Sequence, residues 1–185
     1  MTLREAKTKV YALLDAHSVD GAVEHDPDIE KKMTFFFDIA QKELAKIRKI
    51  LRIYPVPRTE DEEEYPMPAD FCTLKTVRVD GRPARTHYRW NGRSIFIPHF
   101  DRARRIEVEY YAMPATIGED APDSYEFELA EDACNCLPYY VAAQNLLPDL
   151  VIDHTPYLQM WNLSVSTLSP EVPGDWGELK QTLFK

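Results

Sequence analysis

Glu107 and Glu109 stand two residues apart in Arg105-Ile106-Glu107-Val108-Glu109-Tyr110-Tyr111-Ala112, a spacing that sets two carboxylates on one face of a strand. Paired acids so placed can serve as proton donor and acceptor. The same alternation gathers Ile106, Val108 and Tyr110 on the opposite face, so a solvated outer face accounts for both acids. Cys134 and Cys136 are also two apart, but on a helix that spacing points them in different directions and makes a poor chelate. With Cys72 they number three, cannot all pair, and have the apolar neighbours of reduced core thiols. His17, His25, His87, His99 and His154 are scattered, none at zinc-ligand spacing from a carboxylate or cysteine. There is no Gly-x-Ser-x-Gly elbow, and the six glycines form no phosphate-cradling loop. The sequence therefore predicts a non-enzyme with no metal or cofactor.

Arginine offers a different chemistry, that of contact. Between Lys75 and Arg105 lie nine basic residues, Arg82, Arg85, Arg89, Arg93, Arg102, Arg104 and Arg105 among them, against Asp80 and Asp101. That window is +7 in a chain of formal charge −9, which leaves −16 for the rest. Glu60-Asp61-Glu62-Glu63-Glu64 is the densest acidic run. A solvated loop is one reading of it, and a surface that meets a basic partner is the other. Complementary fields steer association and fix register, so one basic module and one acidic body point to contact between copies. Tyr88, Trp90 and Phe96 interleave with the arginines as stacking surfaces on single strands do, although an acidic remainder repels phosphates.

The arginines must be positioned by the only β-rich stretch. Phe71 to Val79 reads as a strand, Asp80-Gly81 as a tight hairpin turn, and His87–Trp90, Ser94–Ile97 and Arg105–Ala112 as further strands around a second turn of the same type at Asn91-Gly92. Helical spacing flanks this meander, which spans 71–112. Thr2-Leu3-Arg4-Glu5 is a capping box opening a helix over 2–17, and Asp26-Pro27 starts one over 27–53, about 40 Å long. A third helix over 124–147 starts at Asp123-Ser124-Tyr125-Glu126 and is kinked by Pro138. A fourth, over 155–168, has Thr155 as N-cap and buries Tyr157, Trp161, Val165 and Leu168. The predicted fold class is α+β, mainly α: a helical bundle with an inserted antiparallel β-meander, one domain over 1–168. An extended C-terminal arm, 169–185, follows, with isolated apolar anchors Trp176, Leu179, Leu183 and Phe184.

At 185 residues the chain is long enough to bury a sizeable core, and no apolar run approaches the ~20 residues that span a bilayer. The start, Met1-Thr2-Leu3-Arg4-Glu5, has no apolar signal-like core, so secretion is not expected and the cytoplasm is the default site of assembly.

Pro68-Ala69-Asp70-Phe71, the Val79-Asp80-Gly81 turn, Asn91-Gly92 before a short apolar strand, Val108-Glu109-Tyr110-Tyr111 and Leu137-Pro138-Tyr139-Tyr140-Val141-Ala142-Ala143 together resemble the head-tail connector (adaptor) proteins of tailed bacteriophages. In element order the resemblance covers roughly residues 1–165, through short motifs. It implies a structural virion protein that forms a ring of about twelve copies under the portal, lets genomic DNA pass without sequence specificity, and docks the tail or its stopper. Tubular tail proteins of short-tailed phages share the plan. A non-viral single-stranded nucleic-acid-binding domain is the reading from another class. On the connector reading, the arginines named above and Glu60–Glu64 form the subunit interface. Trp176, Leu179, Leu183 and Phe184 are then portal anchors.

Overall fold

A computed structural model describes residues 1–15, 27–57, 63–84, 88–97, 105–146 and 153–168. Helix α1 (Leu3–Asp15) opens on the predicted capping box: the Thr2 amide donates to Glu5 Oε2 at 2.8 Å and the Glu5 amide to Thr2 Oγ1 at 3.2 Å. These bonds to Thr2 hold the Glu5 carboxyl below its usual pKa. Helix α2 (Pro27–Ile47) begins on its proline, where no N–H is needed. Leu3, Ala6 and Val10 of α1 and Met33, Phe37, Ala40 and Leu44 of α2 are fully buried in one core. Burying a side chain such as Phe37 contributes roughly 2–3 kcal/mol. The short α3 (Glu131–Cys134) leads into α4 (Leu137–Leu146), which packs against α1, α2 and α5 (Thr155–Thr167). Those neighbours explain why α4 has no charged residue.

Among the described residues seven strands lie between α2 and α3: β1 (Ile50–Pro55), β2 (Glu64–Pro66), β3 (Phe71–Val79), β4 (Arg82–Pro83), β5 (Arg89–Trp90), β6 (Ser94–Phe96) and β7 (Ile106–Ala112). They form a four-stranded antiparallel sheet in the order β1-β7-β3-β4 and a three-stranded one in the order β2-β6-β5. A second core joins them: Val77, Ile106 and Val108 meet Tyr65, Ile95 and Ile97. The fold is α+β, as predicted. Asp80 and Gly81 take φ of 52° and 76°, the left-handed pair that a two-residue hairpin requires.

Several boundaries differ from the sequence reading. The helix predicted over 27–53 ends at Ile47, and Ile50-Leu51-Arg52-Ile53-Tyr54-Pro55 forms β1 instead. That run has a β-branched and aromatic phase of two as well as a helical phase, and six residues of pairing with β7 decide between them. α2 is thus about 31 Å long rather than 40 Å. The meander is two sheets, with β1 and β2 added from outside 71–112.

The helix predicted over 124–147 starts only at Glu131, because Asp123–Phe127 is used to close the start of α1. Leu3 and Arg4 amides donate to the Tyr125 and Asp123 carbonyls, and the Phe127 amide to that of Met1. Pro138 stands in the first turn of a new helix and so breaks no helix interior. His154, one residue earlier than predicted, caps α5, and the Thr155 amide is taken by Asp153 Oδ1 at 2.9 Å. At the second turn only Gly92 is left-handed, with φ 87°; Asn91 closes it through Oδ1, which accepts from the Arg93 and Ser94 amides. Residues 16–17 of the first predicted helix and the arm 169–185 lie outside the described residues.

Candidate docking surface

Of the predicted interface residues, Arg82, Arg89, Arg93, Arg105, Glu63 and Glu64 are described. Arg85, Arg102, Arg104, Glu60, Asp61 and Glu62 lie outside the described residues, as do the predicted anchors Trp176, Leu179, Leu183 and Phe184. Arg82 is on β4 immediately after the Asp80-Gly81 turn. Arg89 and Arg93 flank Trp90 on the β5–β6 hairpin, whose turn is fixed by Asn91. All three arginines are exposed. Their guanidinium groups make no ion pair or hydrogen bond with any described residue. Trp90 is 45 % exposed and meets Phe71 edge-on at 5.5 Å, and Phe71 in turn contacts Tyr110 at 5.6 Å. A large ring is thereby held half in solvent on the strand that also carries Arg89.

Two other arginines of the stretch are paired within the sheet, although the Arg105 side chain remains largely exposed. Arg78 Nε donates to Glu109 across β3 and β7, and Arg105 Nη2 to Glu107 Oε1 at 2.6 Å. Glu107 and Glu109 do share a face, but Glu109 is 5 % exposed and ion-paired, not solvated as the alternation implied. The described end of the acidic run is also not a separate body. Glu64 lies on β2, accepts from Asn91 Nδ2 at 3.0 Å, and so belongs to the arginine hairpin's own sheet.

Charged residues that the sequence did not single out tie the β half to the helices. Arg52 on β1 donates to Asp70 before β3 and to Glu128 in the 113–130 segment. Burial opposes its charge, but Glu128 and Asp70 together raise its pKa. Tyr110 Oη donates to Asp70 Oδ1 at 3.0 Å, and burial with that carboxylate pushes the phenol up to about 12. Arg48, between α2 and β1, holds Asp132 of α3 and keeps that carboxyl below its ordinary value. Gln41, fully buried on the apolar side of α2, donates to Asp38 Oδ1 at 3.2 Å and to the Ala115 carbonyl at 2.8 Å. Asp38 Oδ1 also accepts from the Ile117 amide at 2.9 Å. An amide inside an apolar helical stripe was the available signal for Gln41.

The cysteines divide. Cys72 is exposed on β3, contrary to the sequence reading, while Cys134 and Cys136 are buried. Burial pushes the Cys134 thiol up to about 11, so it is an inert core group. An open cleft of about 570 Å³ between α1 and α2 is lined by Arg4, Lys7, Tyr11, Glu30 and Asp123. Lys7 Nζ donates to Glu30 at 3.4 Å and to Asp123 at 3.0 Å, which makes the cleft a structural ion-pair seam. Among the described residues no group of histidine, cysteine or acidic side chains could hold a metal ion, and no helix is long and apolar enough to cross a membrane. Comparison with family models finds no match to this chain, and comparison with curated proteins finds none either.

Proposed function

We propose that this is a structural, non-enzymatic virion protein: a head-tail connector of a tailed bacteriophage, assembled in the host cytoplasm as a ring of about twelve copies under the portal. The observation that carries this reading is the surface of the two sheets, where Arg82, Arg89 and Arg93 are exposed and pair with no described residue, and where Trp90 is half exposed. The sheet neutralises Arg78 and Arg105 from its own strands and leaves these three for a partner. Arginine and tryptophan are the side chains most often found as interface anchors. A −9 chain supplies the complementary charge in its next copy, and a head-to-tail contact of that kind closes into a ring. The ring surrounds passing DNA without reading its sequence, and Trp176, Leu179, Leu183 and Phe184 anchor the arm on the portal. The tail or stopper docks on the opposite face.

Native mass spectrometry of the protein mixed with the portal encoded beside it tests this. A portal complex gaining about a dozen copies is the expected result, and the triple variant Arg82→Glu/Arg89→Glu/Arg93→Glu should fold normally and lose that gain. Assembly unchanged by the triple variant sinks the arginine interface, and no portal complex at any salt sinks the connector reading. Half-exposed Trp90, on a hairpin that also carries exposed Arg89 and Arg93, favours one alternative, stacking on a single nucleic-acid strand. Binding to single-stranded DNA that weakens steeply with salt, in the absence of portal binding, would select it.

A further inference from the structure

β1 is the outer strand of its sheet, with β7 on one side and no described strand on the other. The phase of its ladder follows from Val56, whose amide donates to the Ile106 carbonyl at 3.0 Å. In an antiparallel pair, residues of one parity turn both backbone groups to the partner and the other parity turns them away. Ile50, Arg52 and Tyr54 therefore bond to β7, while Leu51, Ile53 and Pro55 present theirs to the open edge. These three also share one sheet face, in line with Tyr111, Glu109 and Glu107, and all three are apolar. Ile53 is 57 % exposed.

Sheet edges are ordinarily blunted by bulges, by charge or by proline, and β1 carries a proline only at its last position, Pro55. The other side of the sheet is so protected: β4 covers the end of β3, and register shifts interrupt β3 on either side of Thr73 and Leu74. β1 has an unbroken register. Its one charge, Arg52, is of the opposite parity and is held by Asp70 and Glu128.

We propose that β1 pairs with β1 of a second copy, antiparallel, about a two-fold axis that passes between the two Ile53 residues. In that register each Ile53 amide donates to the other Ile53 carbonyl, and each Leu51 amide donates to the other Pro55 carbonyl. Pro55 has no N–H, so the Leu51 carbonyl opposite it keeps water as its donor. Leu51, Ile53 and Pro55 then make one apolar row across both strands. β1 brings no unneutralised charge to the seam, so nothing local adds to the net repulsion between two −9 chains. A six-residue strand pair covers less than the ~800 Å² per partner of a standard interface, so the dimer is weak and forms with concentration. The contact uses none of the hairpin arginines, so its failure and that of the connector reading are separate results.

The test uses the full chain with exposed Cys72 replaced, Cys72→Ser, and a single new thiol. Facing residues of a hydrogen-bonded antiparallel pair have Cα atoms about 5.5 Å apart, within disulfide range. Ile53→Cys should therefore oxidise to a covalent dimer, whereas Leu51→Cys, roughly 14 Å from its own copy in this register, should not. In sedimentation velocity the unmodified protein should shift towards dimer on concentration, and Ile53→Lys should abolish the shift. Ile53 is exposed and Leu51 only half-buried, so the variants should fold. Equal cross-linking at the two positions, no shift in the unmodified protein, or a shift retained by Ile53→Lys would each overturn the proposal.

Discussion

Arg52 and Glu128 form an ion pair that bridges β1 and the segment leading into α3, and the same guanidinium holds Asp70. One side chain thus joins a strand, a turn and the helical body. Arg52→Ala should lower stability by about 1–2 kcal/mol, because both carboxylates are partly exposed and recover water. A lower urea midpoint at unchanged slope would show it.

Arg78 and Glu109 pose a different energy balance, since the Glu109 side chain is only 6 % exposed. Arg78→Ala leaves a buried carboxylate without its cation and should cost about 3 kcal/mol. The double variant Arg78→Met/Glu109→Leu removes the stranded charge and should recover most of that loss in thermal denaturation. A double variant no more stable than Arg78→Ala would contradict the account.

Asp38 fixes the irregular segment after β7 through the buried Ile117 amide. Asp38→Ala should cost about 2 kcal/mol by leaving that amide without an acceptor. Hydrogen exchange at Ile117 should accelerate more than at amides of α4, where nothing is removed.

Alkaline pH acts on Tyr110 and Cys134. Both folded values, about 12 and about 11, lie above the ordinary values of 10.0 and 9.0. A raised value means that the folded state favours the protonated form, so the stabilisation is complete below the ordinary value and is lost as pH rises through the folded one. Stability should fall from pH about 9 to about 12, and Tyr110→Phe should flatten the upper part of that fall. Tyrosinate absorbance measured alongside the unfolding curve separates the two groups.

What the sequence made legible was the periodic and the local. Leu3, Ala6, Val10, Met33, Phe37 and Leu44 recur at helical steps and are core, and Asp80-Gly81 is the left-handed pair its composition implied. The failures have one physical source, a partner distant in the chain. Ile50–Pro55 is a strand because β7 lies beside it, and Tyr125 and Glu126 remain extended because Met1–Arg4 use their backbone groups. At the candidate site, composition located Arg82, Arg89 and Arg93. It did not separate them from Arg78 and Arg105, whose carboxylates arrive from β7. The apolar neighbours of Cys72 imply a core position, yet it lies on the less covered part of β3.

The closure of α1 by Asp123–Phe127 bears on how the protein is made. Lys7 and its partner Asp123 are 116 positions apart, and the carbonyls that receive the Leu3 and Arg4 amides are made equally late. During translation α1 leaves the ribosome long before the segment that completes its first turn, and before α4, against which it packs. The helical half must therefore stay open while the whole β region is synthesised, and its final cooperative step waits for the polypeptide beyond residue 141.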